Sequence, residues 1–304
     1  MRNEKHKKGS PAERRPDFNI VKGSFDRFPV RDSLELFRRM CLVKYFEEGL
    51  IRAVESKRVV CPLYLSSGQE SAAAALSFVA RDYQIFAQHR AHDIFLCFGG
   101  EPARLRDELL GLPTGLSRGK AGSNCLQYHK NGLAMYGHHG LIGENVPMGV
   151  GAALANGKNT LCVFGDGAAE EDYVLSSLGF ASTHKLPVLF VCVDNDLSIL
   201  TPTAERRNWK ITDVAGAMGL GTVDAADDPW SVIEHSRKLS RKLPALINVR
   251  TCRKYWHVGV GNDGASAWDR YAICKEKLIG AGQLRTVTRI ENAMAGKMRE
   301  LWAN

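Results

Sequence analysis

Two oxygen-bearing side chains, Asp166 and Asn195, stand out by their positions in this 304-residue chain. Asp166 lies between Gly165 and Gly167. A carboxylate with no bulk on either side suits a hard cation that carries a diphosphate. Mg2+ takes an octahedron of oxygen ligands and keeps substrate phosphates among them. Glycine neighbours let phosphate oxygens come close to the backbone. Asp166, the Asn195 amide oxygen and one nearby carbonyl would leave room for two phosphate oxygens and a water. Gly-Asp-Gly is equally an ordinary strand-to-helix turn, and it is Asn195, at the matching point downstream, that favours the metal.

Something must bring the two together. The stretch 159–195 holds two short apolar runs, 161–164 and 188–193, rich in Val, Phe and Cys. Such runs predict buried strands. Between them Tyr173, Leu175, Leu178 and Phe180 suggest a helical face. Strand, helix, strand is one βαβ unit of a parallel sheet. Ligands of such sheets sit beyond the carboxyl ends of the strands, where both Asp166 and Asn195 fall.

Gly-Asp-Gly, 27 residues and then Asn195 resembles the thiamine diphosphate–Mg2+ motif. The chain is similar over roughly residues 30–260 to the alpha subunits of thiamine-diphosphate-dependent 2-oxo acid dehydrogenases. The stretches that carry the resemblance are SSGQESAAAAL at 66–76, HRAHD at 89–93, TGLSRGKAGS at 114–123 and YGHHGLIGENVPMGVGAALAN at 136–156. The resemblance implies that Arg90 helps hold the cofactor diphosphate, with His89 where the family usually has Tyr. It puts the backbone around Gly140 and Ile142 against the aminopyrimidine ring. It puts Asp166, Gly167, Ala168 and Asn195 around the diphosphate. Asp166, Asn195 and the Leu197 carbonyl become the Mg2+ ligands. His257 matches the family's active-site histidine on a mobile loop, and His92 a second histidine lining the site. Read without the family, Arg90 is a surface arginine in a turn and His257 a solvent-exposed loop histidine.

Besides His89, and Leu197 where an aromatic is common, the chain departs from the family at three points. Val258 stands where the family has a phosphorylated serine, Asn248 replaces a frequent glutamate, and the segment after 270 matches poorly. The glutamate that activates the pyrimidine ring comes from a beta chain in two-subunit enzymes, and none is assignable here. The resemblance therefore implies an alpha-type subunit of an α2β2 heterotetramer, with a lipoyl-bearing acyltransferase as a further partner.

The remaining elements are scaffold. Asp32 and Glu35 predict a capping box ahead of a helix whose Leu36, Met40, Val43 and Leu50 face the core. Glu70 opens an Ala-rich helix over 71–80, where a carboxylate is favoured by the helix dipole. A short strand over 84–87 precedes HRAHD. Residues 99–135 read as a long glycine-rich loop, which in a compact domain is usually functional; Gly119-Lys120-Ala121-Gly122 lacks P-loop spacing. Gly149 and Gly151 lack the third glycine of a dinucleotide fingerprint and read as helix packing. A helix over 212–218, a strand at 222–223, the helix Pro229–Leu239 capped by Asp228, and a strand over 246–249 complete the pattern.

Composition sets the bounds. With 44% hydrophobic residues the chain can bury a large core, and no apolar run approaches the length of a membrane span. The N-terminus lacks the apolar segment of a secretory signal. Eight scattered cysteines without a CxxC pair indicate neither zinc nor a dithiol and fit a reducing cytoplasm. The net charge is +8, of which residues 1–15, with six Lys/Arg and two Glu, hold half. No nucleic-acid module accompanies this tail, so it reads as solvated.

The expectation is an α/β thiamine-diphosphate-binding fold with a mostly parallel central sheet and helices on both faces. It comprises a basic disordered tail over 1–24 and a single domain over 25–304. The expected activity is decarboxylation of a 2-oxo acid with acyl transfer. A transketolase-like or acyloin-forming carboligase subunit, and a non-catalytic binding subunit, are the alternatives.

Overall fold

The computed structural model describes residues 14–130, 132–137, 140–262 and 264–303. Seven strands form one sheet: β1 (Gln84–Phe86), β2 (Tyr128–Lys130), β3 (Leu133–Tyr136), β4 (Thr160–Gly165), β5 (Val188–Asp194) and, after the small hairpin β6 (Leu197–Ser198) and β7 (Thr201–Pro202), β8 (Gly221–Ala226) and β9 (Ala245–Arg250). Their order is β2-β3-β1-β4-β5-β9-β8, and every pair is parallel except β2 with β3 at the edge.

The strands alternate between two cores. Leu161 and Val163 of β4, with Leu189, Val191 and Val193 of β5, face one core; Cys162, Phe164, Phe190 and Cys192 face the other. Period-two side chains buried on both faces are what a central parallel strand requires. The first face carries α1 (Ser24–Arg27), α2 (Val30–Glu55), α3 (Glu70–Leu76), α4 (His92–Cys97) and α5 (Pro102–Leu109); the second carries α6 (Asn145–Asn156) and α7 (Asp172–Thr183). After the one-turn α8 (Thr203–Arg206), α9 (Ile211–Ala217) joins the second face, and α10 (Pro229–Leu239), α11 (Arg270–Gly280) and α12 (Leu284–Ala303) join the first. The segment after 270 is thus core cover: Trp302 of α12 lies against Gly49 of α2, where a Cβ would meet the indole at 2.0 Å.

Several local expectations change. Helix α2 starts after Pro29, so Asp32 is in its first turn and Glu35 instead pairs with Arg38 and Arg39 at 2.6 and 2.9 Å. The buried face of α7 is Val174, Ser177, Leu178 and Ala181. Spacings of three, one and three follow one helical stripe, whereas Phe180 is exposed, against His184. Residues 14–24 are not a loose tail: Ala226 N donates to Phe18 O at 2.9 Å, Val21 N to Ser231 Oγ at 2.9 Å and Arg270 to Pro16 O at 2.5 Å. Residues 1–13 lie outside the described residues.

The stretch 99–135 is not one loop either, since α5, β2 and most of β3 lie in it. Its glycine-rich part wraps an anion supplied by the protein itself. Glu108 is buried, and its Oε2 accepts from Ser117 N and Gly119 N at 2.7 and 2.9 Å, its Oε1 from Ala121 N and Gly122 N at 2.6 and 3.3 Å. Gly119 has φ +72 and a Cβ there would meet Gly111 backbone at 2.2 Å, so the turn needs glycine twice over.

Candidate active site

Four adjacent parallel strands, β1, β4, β5 and β9, end on the same edge of the sheet. Arg90 follows β1, Asp166 follows β4, Asn195 follows β5, and the loop after β9 brings His257. One narrow cleft, open to solvent, is lined by His89, Arg90, Ile142, Asp166, Gly167, Ala168, Asn195, Leu197 and His257, together with Gln88, Gly143 and Ser198. A site at the carboxyl ends of parallel strands is where such a sheet binds its ligand.

The carboxylate of Asp166 is the chemical centre. It is 2% exposed. Oδ2 accepts from Arg206 Nη2 at 2.6 Å and from Thr203 Oγ1 at 3.4 Å, while Oδ1 has no hydrogen-bond partner among the described residues. Burial, with the nearby Asp194 charge, pushes its pKa up to about 6 against the pull of Arg206 and Arg207. A buried carboxylate with one oxygen in hand and one open is a ligand set for a cation.

Asn195 is oriented without ambiguity. Leu197 N, which can only donate, meets Asn195 Oδ1 at 3.1 Å, so the other terminal atom is Nδ2, and it donates to Gln69 Oε1 at 2.7 Å. The amide oxygen keeps a second lone pair in this Asx turn, and Asn195 lines the cleft. Asp194 just before it is held below the usual carboxylate range: Arg14, Asn248 and the Asp196 N–H outweigh its burial. Asn248, where the family favours glutamate, bridges Asp194 and Asp224 at 3.1 and 3.0 Å; a third carboxylate there would repel both.

Arg90 is buried, donating to Leu65 O and, through Nη2, to His257 O at 3.2 Å. It therefore ties the loop after β9 to the loop after β1. The rings of His89 and His257 lie 5.2 Å apart, and Tyr64 stands beside both at 4.8 and 5.5 Å. Gly140, exposed with φ +119, lies outside the lining, although Ile142 is in it. His138 and His139 of the same stretch are outside the described residues.

His92 is a correction. It is fully buried and does not line the cleft: Nδ1 faces Glu47 Oε1 at 3.0 Å and Nε2 faces Ser123 Oγ at 2.8 Å. As the first residue of α4 it turns into the core, away from His89 and Arg90 three and two positions earlier. Glu47 also accepts from Ser66 N and Ser67 Oγ at 2.7 and 2.5 Å. The Glu47–His92 pair therefore props the 63–69 loop, which carries Tyr64, the Leu65 carbonyl and Gln69. Sequence reasoning missed Tyr64, Gln69 and Arg206. The stretch SSGQE contained Gln69, but neither Tyr64 nor Arg206 lies in a motif that marks it.

The donor set fits a cation-bound diphosphate. Glycines 165 and 167 keep both sides of Asp166 tight, a Cβ at Gly167 meeting Ser198 Oγ at 2.6 Å. Asp166, Asn195 and Leu197 line one cleft, and Arg90 stands on it too. No helix among the described residues is long and apolar enough to cross a membrane.

Comparison with known proteins bears on the family and the fold. Residues 38–267 match the family model described as the dehydrogenase E1 component. The chain is 32% identical over 239 residues to the mitochondrial pyruvate dehydrogenase E1 component subunit alpha-1 of Arabidopsis thaliana, covering 75% of this chain and 60% of that one. It is 30% identical over 247 residues to the pyruvate dehydrogenase E1 component subunit alpha of Rickettsia bellii, covering 75% and 74%. In fold it is similar to the transketolase of Leishmania mexicana, with a TM-score of 0.56 at 13% identity, covering 91% of this chain and 48% of that one. A transketolase from Pichia stipitis gives 0.54 at 15% identity, covering 90% and 48%. The chain thus spans three fifths of the Arabidopsis relative and about half of the transketolases.

Proposed function

The chain belongs to the dehydrogenase E1 component family, and we propose on that premise that it is the alpha subunit of a thiamine-diphosphate- and Mg2+-dependent enzyme that decarboxylates a 2-oxo acid and transfers the acyl unit. The observation that carries this reading is that Asp166 and Asn195 line one cleft, at the ends of neighbouring strands. Bound thiamine diphosphate would supply the carbanion-stabilising chemistry.

Each residue then has a defined task. Asp166, Asn195 and the Leu197 carbonyl would hold Mg2+. Arg90 provides positive charge for the diphosphate, and its hydrogen bond to the His257 carbonyl places the imidazole on the cleft. His257 handles a proton there, since an imidazole titrates near neutral pH. The packing of His89 and Tyr64 against it limits its rotamers.

A second chain completes the site. Among the described residues the carboxylate lining the cleft is Asp166, which is committed to the metal, so the glutamate that activates the pyrimidine ring comes from a beta-type subunit. The cleft mouth supports this. Leu141, Ile199, Leu200, Trp256 and Val258 are exposed, each within two residues of a lining residue or of His257 itself. An apolar rim of that kind marks a protein contact. A lipoyl-bearing acyltransferase would accept the acyl unit. The eight free cysteines support a reducing, cytoplasmic setting.

The test is reconstitution. The chain with a beta-type subunit, thiamine diphosphate and Mg2+ is expected to turn over a 2-oxo acid, and His257→Ala to lower kcat by roughly 100- to 10,000-fold without loosening the cofactor. Turnover by the isolated chain at about 1 per second or faster would refute the shared site.

A further inference from the structure

Arg206 sits against the proposed metal ligand, and nothing so far gives it a role. It ends α8, the single turn after the β6–β7 hairpin. Its Nη2 donates to Asp166 Oδ2 at 2.6 Å and to Thr203 Oγ1 at 3.1 Å, its Nη1 to Glu170, and its Nε to Thr201 O at 3.3 Å. Arg207 beside it donates to the Asp166 carbonyl and to Glu170, both at 2.6 Å. Two arginines and two carboxylates make a neutral foursome with little solvent.

From this geometry we propose that Arg206 is a positioning residue for Asp166: it takes Oδ2, leaves Oδ1 for the cleft, and neutralises the buried carboxylate for as long as no divalent cation does. The proposal rests on reading the cleft as a thiamine diphosphate–divalent cation site. An unpaired buried charge is strongly unfavourable, and Asp166 is almost wholly enclosed. Ligating carboxylates are commonly held by such an outer partner. The charge count adds a consequence. A dication entering a neutral foursome leaves the cluster positive, so it binds well only together with the diphosphate, whose negative charge restores the balance. Without Arg206 the cluster is negative, and a dication alone has an unmatched carboxylate to neutralise.

The experiment is thermal melting of the full chain as wild type, Arg206→Gln, Arg206→Lys, Asp166→Asn and the double variant Asp166→Asn/Arg206→Gln. Each is measured in EDTA, in excess Mg2+ alone, and in Mg2+ with thiamine diphosphate. Arg206→Gln is expected to lose about 5 °C in EDTA. Mg2+ alone should return part of that loss while scarcely moving the wild type, and Mg2+ with thiamine diphosphate should return most of it. In the Asp166→Asn background the same change should lose no more than about 1 °C, because no charge is left to neutralise. Arg206→Lys, with the charge but a single contact, should fall between wild type and Arg206→Gln, and it serves as the probe if Arg206→Gln does not fold. An equal loss under all three conditions and in both backgrounds would make Arg206 a tether of α8 to Glu170 and overturn the proposal, as would no loss at all. If wild type gains nothing from Mg2+ with thiamine diphosphate, the functional reading of the cleft fails. The Asp166/Arg206 double-variant comparison in EDTA then still decides the neutralising role by itself.

Discussion

Glu108 and Asp166 are both buried carboxylates beside glycine-rich turns, and they are finished differently. Glu108 spends both oxygens on four backbone N–H groups of the 117–122 loop. Asp166 gives one oxygen to Arg206 and Thr203 and keeps the other open to the cleft. The first glycine loop therefore encloses an anion that the chain already carries, and the second leaves a place for a cation that it does not. A carboxylate whose hydrogen bonds are complete holds structure together. One left incomplete at a strand end can hold a ligand, and burial with the nearby Asp194 charge pushes its pKa up to about 6.

The comparison breaks most visibly at Asp166. Asp166→Ala is expected to weaken Mg2+-dependent thiamine diphosphate binding by about 100-fold or more, while its melting temperature stays within a few degrees of wild type. Calorimetry and a melt on the same sample check both halves. Glu108→Ala should do the reverse. Four N–H groups lose their acceptor, so stability should fall by about 3 kcal/mol, read from denaturant unfolding, with cofactor affinity unchanged in the protein that remains folded. A large loss of affinity in folded Glu108→Ala would mean that the two carboxylates do not divide structure from function.

A milder cut sharpens the same line. Gln69→Ala removes the acceptor that orients the Asn195 amide, and an outer partner of a metal ligand is typically worth about 10-fold in affinity or more. Asn195→Ala should cost at least as much. A titration in which Gln69→Ala matches wild type would remove Gln69 from the site.

The smallest effect on the cleft concerns Asp93, a buried carboxylate outside it. Burial raises its pKa to about 7, against hydrogen bonds from the Ile94 N–H at 2.8 Å and Ser66 Oγ at 3.1 Å. Its folded pKa lies above the unfolded value of 3.8. Its contribution to stability is therefore complete below about pH 4 and lost as pH rises towards 7. Asp93→Asn should flatten the stability–pH curve over that window in urea melts, and an unchanged slope would contradict the shift.

The parts legible in sequence were those whose signal is local. Strands β4 and β5 follow from unbroken apolar runs, and Asp228 caps Pro229–Leu239 as expected, accepting from Ser231 N at 3.0 Å. Asp166 and Asn195 were legible because a strand end places the next residue. What was hidden depends on long-range partners. Arg206 reaches Asp166 across 40 residues, and Gln69 meets Asn195 across 126. Helix α5 was lost in a supposed loop because only Leu105 and Leu109 mark its apolar stripe, while its other buried side chains, Asp107 and Glu108, are acids. His92 follows Arg90 closely in sequence, yet the first turn of α4 points it inward.

The central claim is that the open oxygen of Asp166 exists for a cation-bound diphosphate. Calorimetric titration of thiamine diphosphate into the purified chain, in Mg2+ and in EDTA, for wild type and Asp166→Ala, tests it most directly. The account predicts binding to wild type that requires Mg2+ and disappears in Asp166→Ala. Equal binding in EDTA, or equal binding by Asp166→Ala, would contradict it.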